Sequence, residues 1–91
     1  MNPPIQHSPQ TSQFQTADDA RHGVLQYRLQ DGVMSINHTE VASELRGRGV
    51  AAALMQAALA HARTHALKVR PLCSYANAYM KHHPDVQDLL A

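Results

Sequence analysis

The chain has 91 residues, 44% of them apolar, with a formal net charge of +1, seven histidines and a single cysteine, Cys73. A chain this short buries only about 60–65% of its unfolded surface, so one thin core in one domain is expected. The near-neutral charge argues against a nucleic-acid or anionic-membrane binder, and one cysteine excludes an internal disulfide.

The first residues, Met1 to His7, lack a basic region followed by an apolar run, so no signal peptide is read there. No stretch approaches the ~20 apolar residues of a membrane span, and a soluble cytoplasmic protein is expected. Residues 1–12 are Pro, Gln, Ser and Thr with Ile5 as the main apolar side chain, and read as a disordered tail. A folded domain is expected over 13–91, starting with a weak strand near Gln13–Thr16.

Leu25, Tyr27 and Leu29 alternate with polar residues, the period of a half-buried strand. Asp31-Gly32 predicts a tight hairpin turn. Val33 to Val41 alternates again, with Met34, Ile36, His38 and Glu40 on one face and Val33, Ser35, Asn37, Thr39 and Val41 on the other. The period then changes. Val50, Leu54, Ala58, Ala62 and Ala66 recur every four residues, widened by Met55 and Leu59. This is an amphipathic, Ala-rich helix of four to five turns. Leu67 to Leu72 reads as a strand, parallel to its predecessor across the helix. Ser74 caps a helix from Tyr75 to about His82. Pro84 ends it, and a last turn or two is anchored by Val86, Leu89 and Leu90.

The segment Leu45-Arg46-Gly47-Arg48-Gly49-Val50-Ala51 follows a strand and opens the long helix. The first N–H groups of a helix lack intrahelical partners and sit at its positive end. Glycines there allow close backbone approach, which suits a pyrophosphate. Two glycines alone are a weak signal, equally compatible with a plain tight turn. The dinucleotide fingerprint is not met, because position 52 is Ala52.

Four motifs together are more specific. His38-Thr39-Glu40-Val41, then Leu45 to Val50, then Pro71-Leu72-Cys73-Ser74-Tyr75, then His83-Pro84 resemble the small single-domain GNAT-like N-acetyltransferases. The resemblance covers about residues 23–90. It implies a minimal GNAT fold of the α+β class: a mixed, mostly antiparallel sheet with a long central helix and C-terminal helices. It also implies an N-acetyltransferase that uses acetyl-CoA and an amine acceptor, small molecule or protein, acting as monomer or homodimer. A non-catalytic acetyl-CoA or CoA-binding module is the alternative. In such proteins the strand before the loop, here Thr39 to Val41, holds the pantetheine arm. The strand with Val69 to Leu72 splays away, and the thioester lies in the resulting V. Glu44 stands where the family usually has Gln or Arg. A low-specificity likeness makes Asn77 a further coenzyme contact.

Amine acetylation needs a base for the amine, a donor for the thioester oxygen and a proton for the departing thiolate. Glu40 is a candidate base, or a solvated strand-end carboxylate. His38 shares its expected face and has a suitable intrinsic pKa, or is a core-edge histidine bonded to backbone. Cys73, before a helix start, is a candidate nucleophile, or a small buried hydrophobe. Tyr75 is the candidate proton donor, with Tyr79 one turn on as its alternate, or both pack on the sheet. His61 and His65 have metal-ligand spacing, but without a Glu-bearing pattern they read as a solvated helix face, and no metal is expected. The basic residues are scattered, which disfavours a nucleic-acid unit.

Overall fold

The computed structural model describes residues 4–17, 23–43 and 47–91. Five strands form one sheet in sequence order: β1 Ile5–Ser8, β2 Gln13–Thr16, β3 Gly23–Gln30, β4 Val33–Val41 and β5 Lys68–Pro71. All neighbours are antiparallel except β4 and β5, which are parallel. The helix α1, Val50–Thr64, makes that crossover. The helix α2, Ser74–Lys81, and a 3₁₀ helix, Pro84–Leu89, follow β5.

The hairpin turn is as expected. Asp31 and Gly32 both take positive φ, 54° and 77°, the geometry that matches strand twist. The stripe on α1 also holds: Val50, Leu54, Ala58 and Ala62 are buried against the sheet, flanked by Met55 and Leu59. Leu25, Met34, Ile36 and Val69 meet them from the strands, each with no exposed surface. Ala66 does not continue the helix. It takes φ 55°, while Leu67 N–H donates to the Ala62 carbonyl and Ala66 N–H to that of Arg63. This is a Schellman closure with alanine where glycine is usual.

Three expectations need correction. Residues 5–12 are not a disordered tail, since Ile5–Ser8 pair with β2 in register, Ile5 opposite Thr16 and His7 opposite Phe14. Polar composition misled because one side of a two-residue repeat suffices to dock a strand: His7 stacks on Phe14 at 4.1 Å. Residues 1–3 lie outside the described residues. The second correction is on β4. Gln26 pairs with His38 but Tyr27 pairs with Ile36, so Asn37 is an extra, bulged residue. A bulge reverses the facing of everything beyond it. Thr39 and Val41 therefore lie on the core face, opposite Leu25 and Gly23, whereas His38 and Glu40 face the other way. Third, Leu90 is 42% exposed rather than an anchor; Leu89 is the buried one.

α1 covers one side of the sheet. On the other, Gln26, Arg28, His38, Glu40 and Arg70 are exposed.

The outer end of the covered side holds an aromatic cluster. His7 Nε2 is 2.6 Å from the Tyr27 hydroxyl. His7 meets His61 edge-on at 4.5 Å, and His61 stacks on His65 at 4.1 Å. His61 is thus packed against β1, while His65 is exposed on the helix face and stacks on His61. Burial first, then the charge of His65, pushes the His7 pKa below 6.5. Burial, His65 and His7, in that order, do the same to His61. A histidine with a lowered folded-state pKa stabilises the fold above its unfolded pKa and loses that contribution as pH falls through the lowered value. Tm should therefore fall as pH is taken from about 7.5 to about 5. Replacing His7 and His61 together by Gln should flatten that slope. An unchanged slope by thermal circular dichroism would place the acid sensitivity elsewhere.

Candidate functional site

Pairing between β4 and β5 runs from Val33–Lys68 to Ile36–Pro71 and stops. The Ile36 carbonyl accepts from both Leu72 N–H (3.0 Å) and Cys73 N–H (3.1 Å), and the chain turns off into α2. β4 continues to Val41, paired with β3. A wedge opens between the second half of β4 and the start of α2. Thr39 and Cys73 face each other across it, hydroxyl to thiol at 3.6 Å.

Cys73, not Ser74, is the N-cap of α2. Its thiol accepts from Ala76 N–H at 3.4 Å, and its side chain is half-buried. It thus packs partly against the core and is also a polar group at the wedge.

The start of α1 closes the far end. Gly47 and Gly49 take φ 80° and 77°, a region that disfavours other residues. Gly49 is the N-cap, and the first intrahelical bond runs from Ala53 N–H to its carbonyl at 2.9 Å. The N–H groups of Val50, Ala51 and Ala52 thus have no intrahelical partner, and no group among the described residues accepts from them. No acidic side chain stands in this first turn. A cavity of about 180 Å³ opens there, lined by Val41, Gly47, Gly49, Val50, Ala51, Ala52 and Tyr75. It joins the end of β4, the glycine turn, the helix start and α2. The electrostatics suit an anionic group held by backbone donors.

The sequence candidates divide in two. Val41, Gly47, Gly49, Val50, Ala51 and Tyr75 come together in the cavity. Thr39 and Cys73 meet at the wedge. Leu45 and Arg46 lie outside the described residues, as does Glu44, and Arg48 is exposed beside the turn. Asn77 is exposed on α2 and is not part of the cavity wall. His38 and Glu40 form a 3.8 Å pair, more than half exposed, on the uncovered side of the sheet. His38 is therefore not a core-edge histidine. Burial, and then the charge of Tyr79, raise the Tyr75 pKa above 10, so its hydroxyl keeps a proton to donate. Tyr79 stacks on His83 at 3.8 Å instead. Both border a separate recess of about 360 Å³ further along the groove between α1 and α2. Its wall includes Arg63, already bonded to Asp88 at 2.9 and 3.1 Å.

Sequence reasoning missed Gly23. A Cβ there would stand 3.2 Å from both Val50 and Leu54 and 3.4 Å from the Glu40 carbonyl. Its bare backbone lets the first turns of α1 sit close on β3 and β4. A lone glycine at a strand start was the available signal.

The fold and the motifs define one family. A model of the GCN5-related N-acetyltransferases matches residues 13–89, and the chain belongs to that family. It is 34% identical over 83 residues to Protein NATD1 of Mus musculus, covering 88% of this chain and 76% of that one. The solution structure of a GCN5-like protein from Staphylococcus aureus superposes with a TM-score of 0.78 at 29% identity, covering 99% of this chain and 89% of the other.

Proposed function

We propose that the chain binds acetyl-CoA in the cleft between α1, α2 and the end of β4 and transfers its acetyl group to an amine. The observation that carries this is the convergence of three unpartnered helix-start donors, Val50 to Ala52, on the cavity that also holds Val41 and Tyr75. The backbone of Gly47 to Ala52 would receive the diphosphate. The edge of β4 around Thr39 to Val41 would receive the amide-bearing arm, which brings the thioester to the wedge beside Cys73 and Tyr75.

The remaining chemistry falls to side chains. The neutral amine attacks the thioester carbonyl carbon, and the C–S bond breaks with its electron pair on sulfur. Tyr75 supplies the proton that the thiolate takes up. Glu40, with His38 beside it, receives the proton lost by the amine, through water from the uncovered side. In a two-step variant the Cys73 sulfur attacks the thioester carbonyl first, the bond to the CoA sulfur breaks, and the thiol proton passes to that sulfur. Cys73 then holds the acetyl group as a thioester and yields it to the amine, recovering its own proton from that amine.

Calorimetric titration with acetyl-CoA tests the binding. Absence of heat at about millimolar ligand, where a Kd is worth only about 4 kcal/mol, would remove the reading. With binding retained, Glu40→Gln should lower transfer about 10²-fold or more at neutral pH. Cys73→Ala separates the routes: it abolishes transfer in the two-step scheme and leaves it measurable in the direct one. Binding without transfer to any amine would instead identify a coenzyme-holding module.

A further inference from the structure

Two arginines face the uncovered side of the sheet. Val69 has no exposed surface, so Arg70 beside it projects away from α1. Arg28 likewise alternates with buried Tyr27. The registers place Arg28 opposite Ser35, and Ser35 beside Arg70. The three form one row across β3, β4 and β5. At about 4.8 Å per strand the two arginine Cα atoms lie roughly 10 Å apart, a gap two long guanidinium stems can close around one small anion. Among the described residues neither guanidinium has a hydrogen bond or an ion pair. Ser35 and Arg70 border a recess of about 300 Å³ with Val33, Gln30 and Asp31. Asp31 adds a carboxylate to that wall from the hairpin turn, and Arg28 reaches the row from β3, outside the wall.

The same face leads to the reacting centre. Three residues along β4 from Ser35 stands His38, and the Asn37 bulge puts His38 and Glu40 on the face that carries Ser35. His38 therefore lies about 7–10 Å from the row, with Glu40 beyond it, its carboxylate 3.8 Å from the His38 ring. We infer that the acceptor is an amine that also carries an oxyanion, carboxylate or phosphate, about 7–10 Å from its nitrogen, held between Arg28 and Arg70. This rests on the acetyltransferase reading given above. Arginine forks match both oxyanions, and the same pair repels a second ammonium, which disfavours polyamines.

The test uses the full chain with CoA and four amines: aminohexanoate, aminopentyl phosphate, hexylamine and diaminohexane. Binding is followed by NMR at Ser35, Arg28 and Arg70. The two anionic amines should bind about tenfold or more tighter than the others. Arg28→Gln and Arg70→Gln should each remove most of that preference while circular dichroism stays unchanged. Equal affinity for hexylamine, or a preference that survives both substitutions together, would overturn the inference. Acetyl transfer to the same amines distinguishes the two failures. Transfer without preference keeps the acetyltransferase and discards the anion row. Preferential binding with no transfer discards the acceptor role altogether. The tighter of the two anionic amines identifies the oxyanion.

Discussion

Ala51→Glu should weaken coenzyme binding at least about 100-fold without weakening the fold. Ala51 stands in the first turn of α1 and lines the cavity. A carboxylate at a helix N-terminus is stabilising by about 0.3–1 kcal/mol. The native first turn carries no acidic residue and has glycine as its cap, so the helix forgoes that gain. On the proposed function the reason is that the anion comes from outside. A built-in carboxylate would take the same donors and repel a diphosphate at a few ångströms, where the interaction of unit charges is on the order of several kcal/mol at intermediate dielectric. Kd for acetyl-CoA should rise at least about 100-fold, equivalent to about 2.7 kcal/mol, while Tm holds or rises. Unchanged affinity would mean that the diphosphate lies elsewhere, and a lowered Tm would mean that the site does not tolerate the side chain.

Leu54→Ala should cost the most stability. Leu54 has no exposed surface, and its Cδ1 lies 3.2 Å from where a Gly23 Cβ would stand. A buried leucine cut to alanine costs about 2–5 kcal/mol, against a total of about 5–10 kcal/mol for a domain this small. At about 4–8 °C per kcal/mol, Tm should drop by more than about 10 °C. Leu29→Ala is the internal contrast, since Leu29 is 52% exposed and its loss should lie within about 0.5 kcal/mol. Chemical unfolding of both variants checks the difference. Similar midpoints would mean that α1 does not rest on Leu54.

The parts legible in the sequence are those encoded locally. Asp31-Gly32, the four-residue repeat of α1 and the Gly47–Gly49 turn each declare themselves within a short window, and each stands in the structure where expected, except that the helical repeat ends at Ala62. What was illegible depends on partners far along the chain. β1 is a strand because β2 offers it an edge, and no window of residues 5–8 records that. The Asn37 bulge exists only relative to β3, so counting alternate residues along β4 put Thr39 and His38 on the wrong sides. The cap of α2 fell to Cys73 because its backbone is already tied to Ile36, which sets the helix start one residue earlier than Ser74 suggested. The role of Gly23 needed α1 in place before it could be seen.

A single inserted residue also sorts traffic. Before Asn37, β4 is a structural rib with the core on one side; after it, successive residues address two different compartments through a wall one strand thick. On the proposed function, the coenzyme docks from the helical flank and the amine arrives from the bare one. Neither reactant then obstructs the other's doorway, and spent coenzyme and acetylated product can depart independently.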